Sequence, residues 1–179
     1  MYHLSTTFLS VIITVAGSVI LGGGGGGGVV NGAASDEVVR ISAVGAFDVE
    51  LDFSTFSALP VGSNCELSVS GTLLFNSGTI DGVAEGTTTA LVFAPCEDAT
   101  STPPGTFRDV FQSELTFAGT IMDGVPAISD LTYRGKTAVG GAIEAKFLFT
   151  NGVIGVLDVD AIVGVGGTYE GTITKVDEI

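Results

Sequence analysis

Apolar and polar residues alternate along most of this chain, beginning near residue 39. In the first stretch the apolar face carries Val39, Ile41, Ala43, Phe47, Val49, Leu51 and Phe53. A period of two is typical of a β-strand with one buried face and one solvated face. No segment shows a sustained period of 3.6 residues, so the pattern predicts a domain built from strands.

Turn signals divide the rest of the chain into seven to nine strands. The predicted turns are Asn76–Gly78, Asp81-Gly82, Asp123-Gly124, Asn151-Gly152 and Gly166–Gly171. Gly and Asn accept the backbone angles that tight hairpins require. Pro95–Gly105 is rich in Pro, Thr and Ser and is predicted to be the longest loop, without regular structure.

This order of short turns predicts an all-β fold, an antiparallel meander. A sheet with one apolar face must bury that face, either by closing on itself or by packing on a second sheet. Consecutive hairpins favour a small up-and-down β-barrel, because closure removes the exposed edges. A β-sandwich is the alternative.

Residues 1–34 are predicted to be a signal peptide with a Gly-rich segment, and residues 35–179 a single secreted domain. Phe8–Leu21 has the length of a signal-peptide apolar region, and Gly32-Ala33-Ala34 offers a cleavage point. An uncleaved anchor is the alternative. It would need a helix through Gly22–Gly28, where each Gly costs about 1 kcal/mol relative to Ala.

The composition narrows the classes of function. Hydrophobic residues make up 45% of the chain, which predicts a packed core, and the formal charge is −14. Such a charge repels nucleic acid and anionic membranes, so neither is expected as a partner of the mature form. It indicates a well-solvated surface, or less readily a calcium ion or a cationic partner. The oligomeric state stays open.

Several kinds of chemistry are not expected. The one histidine, His3, lies in the predicted signal segment, which removes His-based triads and ordinary zinc catalysis. Asp48, Glu50 and Asp52 share one strand face, but a straight strand cannot converge six oxygens on calcium. Gly22–Gly28 lacks the Lys-Ser/Thr of a phosphate loop. No metal and no cofactor are therefore predicted.

The two cysteines predict one disulfide. Cys65 opens a strand-like segment and Cys96 closes the next, so a hairpin centred near Ile80-Asp81 would bring them face to face. In an exported chain such a pair is expected to be oxidised. Two free buried thiols are the alternative.

Three inward-facing polar residues are the candidate ligand-binding groups: Asp109, Tyr133 and Tyr169. Asp109 shares the parity of Phe111 and is the candidate acid or base. Alternatively its carboxylate reaches solvent or pairs with Arg108 or Arg134, since unpaired charges are rarely buried. Asp158 and Asp160 are expected to point outward, by way of a bulge at Gly155.

The stretch Asp160–Ile173 contains Gly166-Gly167-Thr168-Tyr169-Glu170-Gly171. It resembles the glycine-rich turn and closing strand of the allene oxide cyclase and dirigent group of secreted barrels. Thr168 stands where that group usually has a small residue. The resemblance implies a barrel with an apolar cavity, used in that group for cyclising or coupling small hydrophobic molecules.

Three functions are compatible with these features. The first is a secreted barrel that binds a small hydrophobic molecule in its lumen. The second is a structural or surface protein, such as a matrix, adhesin or filament subunit. The third is a cofactor-free cyclase or isomerase of the allene oxide cyclase type. An open pocket of several hundred Å³ would favour the first and third, and a filled interior the second.

Overall fold

The fold is a closed barrel of eight antiparallel strands in chain order, in a computed structural model that describes residues 40–121 and 124–175. The strands are β1 (Arg40–Val61), β2 (Asn64–Gly78), β3 (Ile80–Val92), β4 (Asp109–Ile121), β5 (Val125–Thr137), β6 (Ala142–Thr150), β7 (Val153–Ile162) and β8 (Gly166–Lys175). Strand β1 pairs with both β2 and β8, which closes the ring. The predicted meander and barrel are confirmed, and the sandwich alternative is wrong. The predicted signal segment lies outside the described residues.

Inward and outward residues alternate as the sequence pattern predicts. On β7, Leu157 and Val159 are buried while Asp158 and Asp160 are exposed. The expected bulge at Gly155 is nevertheless wrong, because the register between β6 and β7 runs without a shift up to the pair Phe149↔Gly155. Residues that pair directly across two strands share one face of the sheet. Because Phe149 points inward and pairs with Gly155, the odd-numbered residues of β7 also point inward.

Three predicted turns fall within the bounds of strands: Asn76–Gly78 is the end of β2, and the other two lie in β3 and β8. Asp81-Gly82 belongs to β3, since Phe75 pairs with Gly82 and the chain reverses at Gly78 and Thr79. Gly166–Gly171 belongs to β8, and the preceding turn is formed by residues 163–165. The glycines of β8 permit close strand approach instead: a Cβ at Gly167 would lie 2.2 Å from the carbonyl oxygen of Asp160.

The segment Pro95–Gly105 was predicted to have no regular structure, and this is wrong in part. It contains the short helix α1 (Cys96–Ser101). Pro95 stands at the N-cap, and its carbonyl accepts a hydrogen bond from the Ala99 N–H at 2.9 Å. Glu97 and Asp98 in the first turn suit the positive end of the helix dipole. Within the part of the chain that the structure describes, no helix is long and apolar enough to cross a membrane.

One end of the barrel is filled by aromatic side chains. They are Phe47, Phe75, Phe117, Phe147, Phe149 and Tyr169, each at most 2% exposed. Phe147 lies at the centre of the cluster, with ring centroids 5.1 Å from Phe47 and 5.5 Å from Phe75. Edge-to-face contacts of this kind add to the hydrophobic stabilisation. This end, where β2 turns into β3, is the closed end of the barrel.

Tyr169 closes the wall of this end. Its hydroxyl accepts a hydrogen bond from the Ile80 N–H at 3.1 Å and donates one to the Ser77 carbonyl at 3.4 Å. The ring passes under β1 at Gly45, where a Cβ would lie 2.3 Å from the hydroxyl oxygen. Burial raises the pKa of Tyr169, and the hydrogen bond from Ile80 partly opposes that shift.

The predicted disulfide between Cys65 and Cys96 is present, with the two Cα atoms 4.7 Å apart. Cys96 lies in α1 and not on a strand, so the bond joins β2 to the segment after β3. The residue that faces Cys65 on β3 is Val92. The predicted pairing is therefore confirmed, whereas the predicted contact between two neighbouring strands is wrong.

We expect Tyr169→Phe to lower the free energy of unfolding by about 1–3 kcal/mol, because the buried Ile80 N–H loses its acceptor. Tyr133→Phe is the matched control. Its hydroxyl makes no hydrogen bond to the described residues, so its loss should cost less than about 0.5 kcal/mol. Urea unfolding followed by circular dichroism measures both. Equal losses would contradict the role assigned to Tyr169.

We also expect the double variant Cys65→Ser/Cys96→Ser to lose about 3–4 kcal/mol of stability, since the bond closes a loop with a sequence separation of 31. Reduction of the wild-type protein should lower the urea midpoint to the same value. Amide hydrogen exchange should rise first in residues 93–108. An unchanged midpoint would show that the bond does not constrain the unfolded chain.

Candidate functional site

A cavity of about 380 Å³ occupies the other end of the barrel, where β3 ends and β4 begins. This end is called the mouth below. Most of the cavity wall is apolar, from Val49, Leu51, Leu67, Val69, Leu73, Ala90, Val92, Phe111, Leu115, Ile143, Ile162 and Val163. An eight-stranded barrel has room for a packed interior or one small ligand. Here the closed end is packed and the mouth is hollow.

The cavity lies where several inward-facing side chains of neighbouring strands are small. On β3 the buried residue at the closed end is Ile80, whereas Thr88 and Ala90 line the cavity. On β4, Phe117 fills the closed end and Ser113 lines the cavity. Smaller side chains on facing strands leave volume that the rigid backbone cannot collapse to fill.

The segment between β3 and β4, residues 93–108, forms one wall of the mouth. The disulfide joins it to β2 through Cys96. At its far end the Gly105 carbonyl accepts a hydrogen bond from the Gly140 N–H at 2.9 Å. Gly105 has φ +84°, and a Cβ there would lie 2.7 Å from the Gly141 Cα. A residue other than glycine would therefore displace this wall.

An irregularity in β1 forms another part of the wall. Between the pairs Asp52↔Ser70 and Ser57↔Ser68 the register shifts, and β1 forms a bulge. The Asp52 carboxylate accepts hydrogen bonds from the Ser54 N–H at 3.0 Å and its hydroxyl at 2.6 Å, which stabilises the bulge. These bonds also lower the pKa of Asp52.

The bulge places two aromatic residues at the mouth. Phe53 and Phe56 line the cavity, yet they are 67% and 40% exposed. The cavity therefore reaches solvent beside these two rings. Beyond Asp48, β1 no longer pairs with β8, so this part of the wall is held by β2 alone among the described strands.

Asp109 lies in the cavity wall at the first position of β4. It faces Val92 on β3 and Thr137 on β5. Burial raises the pKa of the Asp109 carboxyl, and a hydrogen bond from the Thr137 side chain opposes that shift. Neither Arg108 nor Arg134, both exposed, forms an ion pair with it. The alternative in which one of these cations neutralises Asp109 is therefore wrong.

The deeper polar groups come from three neighbouring strands. The hydroxyls of Thr88 and Ser113 are 2.7 Å apart and hydrogen-bonded. Tyr133 lies opposite Ser113 on β5, and its ring is edge-on to Phe111 at 4.8 Å. Burial raises the pKa of Tyr133, so its phenol stays protonated and can donate a hydrogen bond.

The structure brings two of the three candidate residues together. Asp109 and Tyr133 both line the cavity, whereas Tyr169 lies at the closed end and is not part of the cavity wall. Sequence reasoning missed Thr88, Ser113 and Thr137. Ser113 could have been found from its parity, since it stands between Phe111 and Leu115 on the inward face. The ligand-binding roles of the three candidates stay predictions.

The cavity offers one carboxylate and a few hydroxyls as polar ligands. Across residues 40–121 and 124–175, no three His, Cys, Asp or Glu side chains converge in a way that could hold a metal ion. The arrangement can enclose an apolar molecule, hydrogen-bond one polar group near Asp109, and offer a second bonding point at Ser113 or Tyr133.

Comparison with known proteins yields a structural likeness and no likeness to a characterised family. No family model matches the chain, and no curated protein matches it. Among solved structures it is similar to a protein of unknown function from the DUF3224 family of Shewanella oneidensis MR-1. The match covers 79% of this chain and 100% of that protein, at 16% sequence identity and a TM-score of 0.50. A likeness at this identity shows the shared barrel fold and carries no function across.

Proposed function

We propose that this protein is a secreted barrel that binds a small hydrophobic molecule in the cavity at its mouth. The observation that carries the proposal is the hollow mouth itself, about 380 Å³ in a barrel whose closed end is fully packed. Ligand pockets in proteins are mostly apolar, contain a few polar groups and measure about 300–1,000 Å³. This cavity has each of those properties.

Three further features support binding at this place. The mouth is bounded by walls that the disulfide, the Gly105 contact and the β1 bulge hold in position. A preformed site loses less conformational entropy when its ligand enters. The disulfide also suits the oxidising conditions outside the cytosol, which supports the export predicted from residues 1–34.

A cofactor-free cyclase or isomerase is the second candidate, and one observation favours it. Asp109 lies in the cavity wall, and burial raises the pKa of its carboxyl towards the range useful for acid–base catalysis. Turnover of a bound molecule, detected as a change in its mass or chromatographic position, would separate this candidate from simple binding. The structural or surface alternative has no such support from the cavity.

We expect the neutral fluorophore N-phenyl-naphthylamine to bind the wild-type protein saturably, at one site per barrel. Ala90→Phe should weaken that binding at least about tenfold, since a ring on the cavity wall would occupy the space that the ligand needs. Thr89→Phe is the matched control. It adds the same ring one residue away, on the exposed outer face of β3, and should leave the affinity unchanged.

Fluorescence titration at equal protein concentration measures these affinities, with circular dichroism to confirm that each variant is folded. Equal binding by the wild type and Ala90→Phe would place the fluorophore outside the cavity and contradict the proposal. Native mass spectrometry of protein purified from its own source gives a second test. A retained small molecule is expected, whereas a ladder of regular oligomers without ligand would favour the structural alternative.

A further inference from the structure

The cavity carries charge of only one sign. Asp109 is its one Asp or Glu, and none of the described residues in its wall is Lys, Arg or His. Tyr133 is the other titratable residue there; its phenol is neutral at neutral pH, and burial raises its pKa further. A ligand that enters the mouth therefore meets a carboxyl group in otherwise apolar and hydroxyl-bearing surroundings.

Neither of the two ion pairs found among the described residues involves this carboxyl group. Three of the basic residues, Arg134, Lys136 and Lys146, lie exposed on the outward faces of β5 and β6. Lys136 is 2.8 Å from the carboxylate of Glu144, and Lys146 pairs with Asp158. These ion pairs hold their charges on the outer surface, on the opposite side of the sheet from the lumen.

The hydrogen bond from Thr137 satisfies only part of the bonding capacity of Asp109. A carboxylate can accept about four hydrogen bonds, and the neighbour on the other side, Val92, offers no side-chain donor. A half-buried carboxylate in this position is stabilised by any donor that arrives with a ligand, and most of all by a cationic one.

The aromatic residues of the mouth suit the same type of ligand. Phe53 and Phe56 line one wall, Phe107 lines another, and Phe111 lies on the same inward face of β4 as Asp109. The faces of aromatic rings attract cations and pack well against aliphatic chains. The net charge of −14 further raises the local concentration of cations over anions near the protein.

We propose that the cavity selects hydrophobic amines, holding the protonated nitrogen at Asp109 and the apolar body against the mouth and lumen, and that it rejects carboxylates of the same shape. This inference rests on the proposed function, because it assumes that the cavity is the binding site. It identifies the chemical class of the ligand, which the hydrophobic wall alone leaves open.

Three probes of equal chain length test the selection: octylamine, octanol and octanoate, each displacing bound N-phenyl-naphthylamine at neutral pH. We expect octylamine to bind about tenfold more tightly than octanol, because a charge-assisted hydrogen bond is stronger than a neutral one. Octanoate should bind more weakly than either, since its charge has the same sign as that of Asp109.

Asp109→Asn should remove the preference for octylamine over octanol, because the neutral amide carries no negative charge to pair with the ammonium group. Glu85→Gln is the matched control. It removes one negative charge from the exposed outer face of β3 and should leave the preference intact. A preference lost equally in both variants would show that octylamine responds to the net surface charge, which would overturn the role of Asp109.

A pH series on the wild-type protein keeps the proposal testable if Asp109→Asn does not fold. Octylamine stays protonated throughout the acid range, so a change in its preference reports carboxyl groups of the protein. Val92 and Thr137, which face Asp109 from β3 and β5, do not titrate, and Tyr133 stays neutral. Because burial raises the pKa of Asp109, the preference should disappear at a higher pH than an exposed carboxylate would give.

The outcomes separate this inference from the function on which it rests. If the three probes displace the fluorophore equally, the cavity binds hydrophobic molecules but the selection of amines is wrong. If the fluorophore binds and none of the three displaces it, the selection is also wrong. If the fluorophore itself does not bind the wild-type protein, the proposed function fails and the selection fails with it.

Discussion

The pairing of β1 with β8 closes the sheet, and the rest of the interior depends on that closure. Nine pairs join the two strands, from Arg40↔Thr174 to Asp48↔Gly166. Once the ring is closed, every inward-facing side chain shares one small lumen, and the backbone hydrogen bonds limit how far the walls can move. The lumen can then be filled only by side chains or by a ligand. Side chains fill the lumen at the closed end, whereas the mouth has space for a ligand.

The difference between the two ends follows from side-chain volume. Phe147 and its aromatic neighbours fill the closed end, and Tyr169 ties its wall together through Ile80 and Ser77. Around the cavity, the inward positions of β3 and β4 include the small side chains of Thr88, Ala90 and Ser113. The aromatic end supplies the packing that stabilises the barrel, which allows the mouth to stay hollow without loss of the fold. Binding sites are commonly supported in this way, by a rigid, well-packed region next to the open site.

Charged groups are also distributed unequally between the outer face of the barrel and the cavity. The ion pairs Lys136–Glu144 and Lys146–Asp158 lie on the outer face, where water screens them and they add little to stability. Asp109 stands apart from these pairs, in the cavity wall with Thr137 as its hydrogen-bonding partner. An acidic group that burial disfavours is retained at low cost when a ligand supplies the missing donor. The position of this one carboxyl, more than the total charge of the chain, sets the chemistry that the mouth can offer.

The sequence by itself determined the strands, the side of the sheet that each residue faces, and the partner of each cysteine. These depend on alternation and turn residues, which are local, so Phe111, Leu115 and Tyr133 could be assigned to the correct face from their neighbours alone. The outward face of Asp158 was assigned correctly, but through a bulge that the structure does not contain. Only the tertiary structure decided where the cavity lies, that Tyr169 serves the closed end, and that α1 follows Pro95. It also decided that neither Arg108 nor Arg134 forms an ion pair with Asp109. The alternation of residues along a strand shows that a side chain points inward. It does not show at which level along the barrel axis that side chain lies, or which side chains of distant strands contact it there. That depends on the strand register around the closed ring, which is a property of all eight strands together.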